Sequence, residues 1–227
     1  MAAVVSKGDF VEMSFTASIA GGEVFEKTGK PLLIVVGAGQ VIAGLDELLV
    51  GTSEGVQKSA TIPKEKAFGE RKPEMVKLIP FNEFQKHGVS PVAGMPVDID
   101  GVPARVQSVS GGRVRIDFNP ELAGYDLHYD YKVEKVISSP EAKVDALKTH
   151  VLEKNGSAEL SGKVKVSFDK QTGVVTLTVP DSVAKNTDYL VAKTHFVAQA
   201  LGHVPEVKNV LVNEEYSKAN LKEEESS

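Results

Sequence analysis

The chain has no cysteine and no tryptophan, and only 6% of its 227 residues are aromatic. Without cysteine there is no disulfide, no thiolate metal ligand and no thiol nucleophile. No apolar run approaches the ~20 residues that cross a bilayer as a helix. The start, MAAVVSKGDF, lacks the apolar core of a secretory signal. A formal net charge of −5 argues against nucleic acid as the main partner. The five histidines (His87, His128, His150, His195, His203) are scattered, without an i, i+4 pair. No Gly-x-Ser-x-Gly elbow supports a serine hydrolase. Gly37-Ala38-Gly39 is like the start of a dinucleotide-binding loop, but Ile42 stands where the third glycine would be. The expectation is a chain with neither metal nor cofactor.

What remains is mostly apolar patterning, and its densest part lies between Glu23 and Glu70. The run 32–36 is stopped by Gly37-Ala38-Gly39. Val41, Ile42, Leu45, Leu48 and Leu49 then follow at helical spacing. Before it, Val11, Met13, Phe15, Ala17 and Ile19 alternate as in a half-buried strand, and Gly21-Gly22 makes a turn. A further strand is expected at 57–62, closed by Pro63. Few side chains here can act as acid, base or nucleophile. A pocket built from them would work by burial and orientation.

From 75 to 118 the pattern changes. Strand-like pieces at 76–79, 96–99, 104–109 and 113–116 alternate with turn signals, and Asp100-Gly101 has the form of a two-residue hairpin turn. Val76, Leu78, Ile79, Phe81, Phe84, Val89, Val92 and Met95 are more apolar residues than so small a unit buries easily. Alternation returns at Leu127, Tyr129, Tyr131 and Val133, and slips by one residue before Val136. Beyond Ser139, which caps a helix that starts at Pro140, the order is helix (141–155, stopped by Gly156), strands (163–168 and 173–179), helix (182–201, stopped by Gly202) and strand (206–213). Lys222 to Ser227 reads as a solvated tail.

Val24-Phe25-Glu26, then Gly37-Ala38-Gly39-Gln40-Val41-Ile42-Ala43-Gly44-Leu45, then Ala67-Phe68-Gly69, and finally Leu122-Ala123-Gly124-Tyr125-Asp126-Leu127-His128-Tyr129-Asp130 follow one another. In this order they resemble the FKBP-type peptidyl-prolyl isomerases, specifically the long archaeal, SlyD-like form. The resemblance implies an α+β fold, with an antiparallel sheet wrapped on a short helix. A β-rich insert would interrupt its flap, and a C-terminal αββαβ module would follow. The implied division is 1–71 with 119–138 for the isomerase domain, 72–118 for the insert, and 139–227 for the module.

The resemblance also implies site residues. Phe15, Phe25, Glu26, Phe68 and Tyr129 would be catalytic. Leu32, Val41, Ile42, Leu45, Ala67, Leu122 and Ala123 would bind substrate. Several positions depart from the family pattern. Glu26 replaces Asp, Leu45 replaces the Trp floor, Phe68 replaces a Tyr, and Tyr129 replaces a Phe. Asn119-Pro120-Glu121 stands where a His is frequent, and the His-rich tail of some SlyD-like proteins is absent. Cis–trans isomerisation of X-Pro bonds in unfolded cytoplasmic chains is the implied activity, with client binding by the insert. The alternative is a holdase or scaffold that keeps the fold and has lost turnover. The last strand, as an open edge, would serve either a homodimer or client binding.

Overall fold

The computed structural model describes residues 2–155 and 158–218. Alternation in β1 (Phe10–Ile19) sets the first layer: Val11, Met13, Phe15 and Ala17 are buried on one face. Antiparallel to it runs β9 (Leu127–Ile137), with Phe15 opposite Tyr131 and Ala17 opposite Tyr129. The one-residue slip before Val136 is a bulge where Met13 faces Val133 and Glu12 faces Lys135. Beyond it Ile137 turns to the opposite face and lies across from Phe10. The strands β2 (Val24–Lys27), β3 (Leu32–Val35) and β4 (Gln57–Ile62) complete a five-stranded sheet of order β2-β1-β9-β4, with β3 pairing the first half of β1.

The helix α1 (Ala43–Leu49) covers the face that carries Phe15 and Tyr129, burying Leu45 and Leu49 there. Its approach is braced by Asp46, whose carboxylate accepts from the Gly37 N–H at 2.8 Å and the Gly39 N–H at 3.2 Å. Gly37 has φ +82°, a left-handed geometry that suits glycine.

Between β4 and β9 the chain makes a second, antiparallel sheet. Its elements are β5 (Val76–Pro80), α2 (Phe81–Lys86), β6 (Pro96–Ile99), β7 (Val102–Ser110) and β8 (Arg113–Asp117), with sheet order β5-β8-β7-β6. Asp100 and Gly101 both have positive φ, as a two-residue turn of the primed class requires. The helix α2 was not expected. Phe81 and Phe84, three apart, place both rings on one side of it, and Phe84 joins Val106, Val114 and Ile116 in a small core. Ile79, Phe81, Val89 and Met95 are half-buried, while Leu78 and Val92 are about three-fifths exposed, at 60% and 61%. The two connectors to the first sheet are knotted at Asp117. This buried carboxylate accepts from Arg71, from Gln107 Nε2 at 2.7 Å, and from Asn119 N at 2.8 Å.

The last part comprises α3 (Pro140–Asn155), α4 (Ala158–Lys163), β10 (Lys165–Asp169), β11 (Val174–Val179), α5 (Asp181–Ala184), α6 (Thr187–His203) and β12 (Asn209–Glu214). β11 pairs β10 antiparallel and β12 parallel. The helix expected over 182–201 is broken. Asn186 accepts from the Asp188 and Tyr189 N–H groups and starts α6 afresh, and α6 runs through Gly202 to His203. The short α4 is also additional. Gly156 and the 222–227 tail lie outside the described residues. The core formed by α3, α6 and β11 takes in Phe10, Val35 and Ile137 from the first sheet. Lys143 ties the joint by donating to the Gly8 carbonyl at 2.9 Å beneath the Phe10 ring. Among the described residues, no helix is long and apolar enough to cross a membrane.

Candidate active site

One rung of the first sheet organises the site. Register places Glu26 on β2 opposite Ala17 on β1, Ala17 opposite Tyr129 on β9, and Tyr129 opposite Ala60 on β4. Residues of one rung share a face. Glu26 and Tyr129 therefore face each other across two strand spacings, about 10 Å between backbones. Only a methyl group stands between them, and another lies beyond Tyr129. The two alanines add only methyl groups to this face, Ala17 fully covered and Ala60 half-buried.

Around this rung lie most of the expected residues. The Phe15 ring packs against Tyr129 with centroids 5.5 Å apart and tilted by 48°. Leu45 closes the base from α1 and is 1% exposed. Val41, Ile42, Ala67 and Leu122 are half-buried against the same cluster, and Ala123 is buried. Two cross-links bring the 67–69 turn to the 122–126 stretch: Gly124 N–H donates to the Gly69 carbonyl at 2.8 Å, and Lys64 N–H to Asp126 Oδ1 at 2.9 Å. Tyr131 donates to the Leu48 carbonyl at 3.2 Å and holds the end of α1 on the sheet.

Phe25, Leu32 and Phe68 are exposed and stand outside this buried cluster, as does Glu26. Ala17 faces Glu26 and Ser18 faces Val24, so Phe25 is the extra residue of a bulge. Leu32 opens β3 opposite Met13. Phe25 and Phe68 are thus apolar rings left on the surface.

Tyr129 is the site's electrostatic feature. Burial pushes its hydroxyl up to about 12, and the facing Glu26 carboxylate adds to the shift. The phenol stays protonated at any ordinary pH and is a hydrogen-bond donor. The other residues gathered around the rung are hydrocarbon. The arrangement can desolvate a ligand and orient it, and it lacks a nucleophile–base pair.

A second polar cluster lies on the opposite face of β4 and β9. Ser59 Oγ donates to Asp130 Oδ1 at 2.5 Å and lies 2.9 Å from His128 Nε2. His128 Nδ1 instead meets Thr61 Oγ1 at 3.1 Å. Because Asp130 accepts from the serine and lies 3.7 Å from the same Nε2 that faces Ser59, leaving Nδ1 to Thr61, the order is wrong for a charge-assisted triad. Among the described residues, no three acidic, histidine or cysteine side chains cluster as metal ligands.

Sequence reading missed Ala17 and Ala60, since small strand residues announce nothing until the register is known. It also missed Asp46 and Asp117, polar residues whose bracing role depends on chain segments far away.

Residues 2–85 match the family model for FKBP-type peptidyl-prolyl cis-trans isomerase, and residues 77–122 match that for the FKBP26 IF domain. The short-type peptidyl-prolyl cis-trans isomerase of Methanocaldococcus jannaschii is 30% identical over 148 residues, covering 59% of this chain and 94% of the relative. An FKBP-type 16 kDa isomerase of Escherichia coli is 26% identical over 149 residues, 63% of this chain and 100% of the relative. The isomerase SlyD of Treponema pallidum is 29% identical over 143 residues, 60% and 81% respectively.

Proposed function

The chain belongs to the FKBP-type peptidyl-prolyl cis-trans isomerase family, and on that premise we propose that it accelerates the folding of other polypeptides by turning their X-Pro bonds. The reading is carried by the apolar cluster around one sheet rung, taken as the floor of a substrate hollow, with two uncovered phenylalanines and the protonated Tyr129 hydroxyl. Rotation about a peptide bond meets a barrier of ~18–20 kcal/mol that arises from amide resonance. Uncatalysed X-Pro exchange takes roughly tens to hundreds of seconds, slow enough to limit folding. Water stabilises the polar planar amide more than the twisted one. A dry hollow removes that preference, and no proton transfer or covalent intermediate is required.

In this reading Phe15, Leu45 and Tyr129 form the base and wall. Val41, Ile42, Ala67, Leu122 and Ala123 form the sides. Phe25, Leu32 and Phe68 are the exposed surfaces onto which the flanking chain closes, and Glu26 faces Tyr129. The proposed division is 1–71 with 119–138 for catalysis, 72–118 for client capture and 139–227 for the C-terminal module.

Client capture by the insert is supported by its small core and by an open cleft of about 590 Å³ between α2 and β6. Phe84, Val89, Met95, Val97 and Ile99 line that cleft, and Val92 stands exposed one turn from Met95. Such surface suits loose binding of unfolded segments. The test is to compare refolding of a proline-limited protein with isomerisation of a short peptide, for wild type and for Val92→Ser with Met95→Gln. Loss of the first activity with retention of the second is expected. Equal loss of both would refute capture by the insert. A homodimer through the outer edge of β12, where Leu211 is 53% exposed, is proposed for the module. Sedimentation of wild type against Leu211→Lys tests it, and equal masses would dismiss it. Cytoplasmic residence is proposed as well, and cell fractionation tests it.

A further inference from the structure

We propose that the Tyr129 hydroxyl is the donor that anchors the substrate by a carbonyl oxygen next to the turning bond. The proposal rests on the isomerase reading above and assigns the role of one group within it. Three tyrosines have buried side chains: Tyr129, Tyr131 and Tyr189. Tyr131 donates to the Leu48 carbonyl at 3.2 Å and Tyr189 to Glu214 Oε1 at 2.9 Å. The Tyr129 hydroxyl makes no hydrogen bond with any described residue. No buried side-chain oxygen or nitrogen among the described residues lacks a partner, so the unpartnered Tyr129 hydroxyl is not sealed from solvent. Its ring is held by Phe15 and its rung by the two alanines, so the hydroxyl is positioned without being engaged.

A donor so placed has a use. Phe68, the aromatic next to Ala67, carries no hydroxyl, and the hydrocarbon residues around the hollow cannot donate from their side chains. Which carbonyl is taken follows from the chemistry. The oxygen of the turning amide loses charge as resonance breaks, so a donor placed on it would favour the planar form. A carbonyl outside that amide keeps its charge throughout, and a bond to it holds one side of the substrate still while the other swings. Burial first, and Glu26 across the rung second, disfavour phenolate, so the donor persists at neutral pH.

The experiment compares wild type and Tyr129→Phe in kcat/KM for a proline-containing tetrapeptide and in thermal midpoint. Because no folded-state bond is lost, the midpoint is expected to stay or rise. Loss of one substrate hydrogen bond is expected to lower kcat/KM about tenfold. An active wild type with an equally active Tyr129→Phe overturns the proposal and leaves the isomerase reading intact. A parallel fall of midpoint and kcat/KM also overturns it, since the hydroxyl would then serve the fold. An inactive wild type overturns both.

Discussion

Replacing Gly44 with alanine puts a methyl where α1 crosses β4. A Cβ built at Gly44 lies 2.3 Å from Ile62 Cγ2 and 3.2 Å from Lys66 Cβ, against an ordinary contact of 3.4–4 Å. Helix and strand must separate by about 1 Å to restore normal contact. α1 has little room to move. Leu45 and Leu49 are buried, Asp46 is bonded to the loop before it, and Tyr131 holds Leu48. Overpacking costs about 1–3 kcal/mol, and these restraints place Gly44 toward the upper end. Gly→Ala returns at most about 1 kcal/mol of helix propensity, less in a first turn. The net expectation is a loss of about 2 kcal/mol, or roughly 4–8 °C in thermal midpoint. With no tryptophan in the chain, urea unfolding is followed by tyrosine fluorescence. Ile62→Ala removes the colliding methyl. The double variant should therefore be about 1–2 kcal/mol more stable than the two single losses added together. If Gly44→Ala instead stabilises the chain, or if the two changes are additive, the packing argument for α1 is wrong.

Three further outcomes follow from the fold. Asp117→Ala leaves Arg71, Gln107 and Asn119 without their shared acceptor; because Arg71 is partly exposed, the cost is set at about 2 kcal/mol rather than that of a fully buried pair. Protease nicking should appear at the connectors near 71–75 and 118–121, and an unchanged digest would dismiss the hinge role of this knot. Burial first, and Lys154 second, hold the His150 imidazole below its ordinary 6.5, with Glu153 opposing. The unfolded histidine takes its proton near pH 6.5 and the folded one only at lower pH. Its contribution to stability is therefore complete above that value and declines as pH falls below it. Between pH 7.5 and 5.5 the thermal midpoint should drop less in His150→Gln than in wild type, and equal drops would contradict this. Asn186→Ala removes both bonds that start α6 and should cost about 1 kcal/mol, with faster amide exchange in its first turn. Unaltered exchange there would count against the cap.

Where periodicity and turn chemistry act locally, the sequence was legible. The β1 and β9 faces followed from alternation, the slip before Val136 proved to be a bulge, and Asp100-Gly101 supplied the two positive φ angles of its turn. Motif order pointed to the family. What escaped depended on distant partners. α2 hid among strand-like pieces because its six residues are too few to show a helical period. The break at Asn186 hid in a stretch of good helical composition. The parallel pairing of β11 with β12, and the sharing of Phe10, Val35 and Ile137 with the C-terminal core, have no local signal. The rung Glu26–Ala17–Tyr129–Ala60 exists only once register is set, so the pairing of Tyr129 with an acidic neighbour could not be read beforehand.

The most direct measurement is the cis–trans exchange rate of an X-Pro tetrapeptide with the wild-type chain and with Phe25→Ala. Phe25 is exposed on its bulge, so its removal should leave the fold stable. The account predicts clear acceleration by wild type and a several-fold lower kcat/KM for the variant. Suppressed aggregation of an unfolded client with no acceleration of exchange would contradict it, and the residues assigned to the hollow would then be structural.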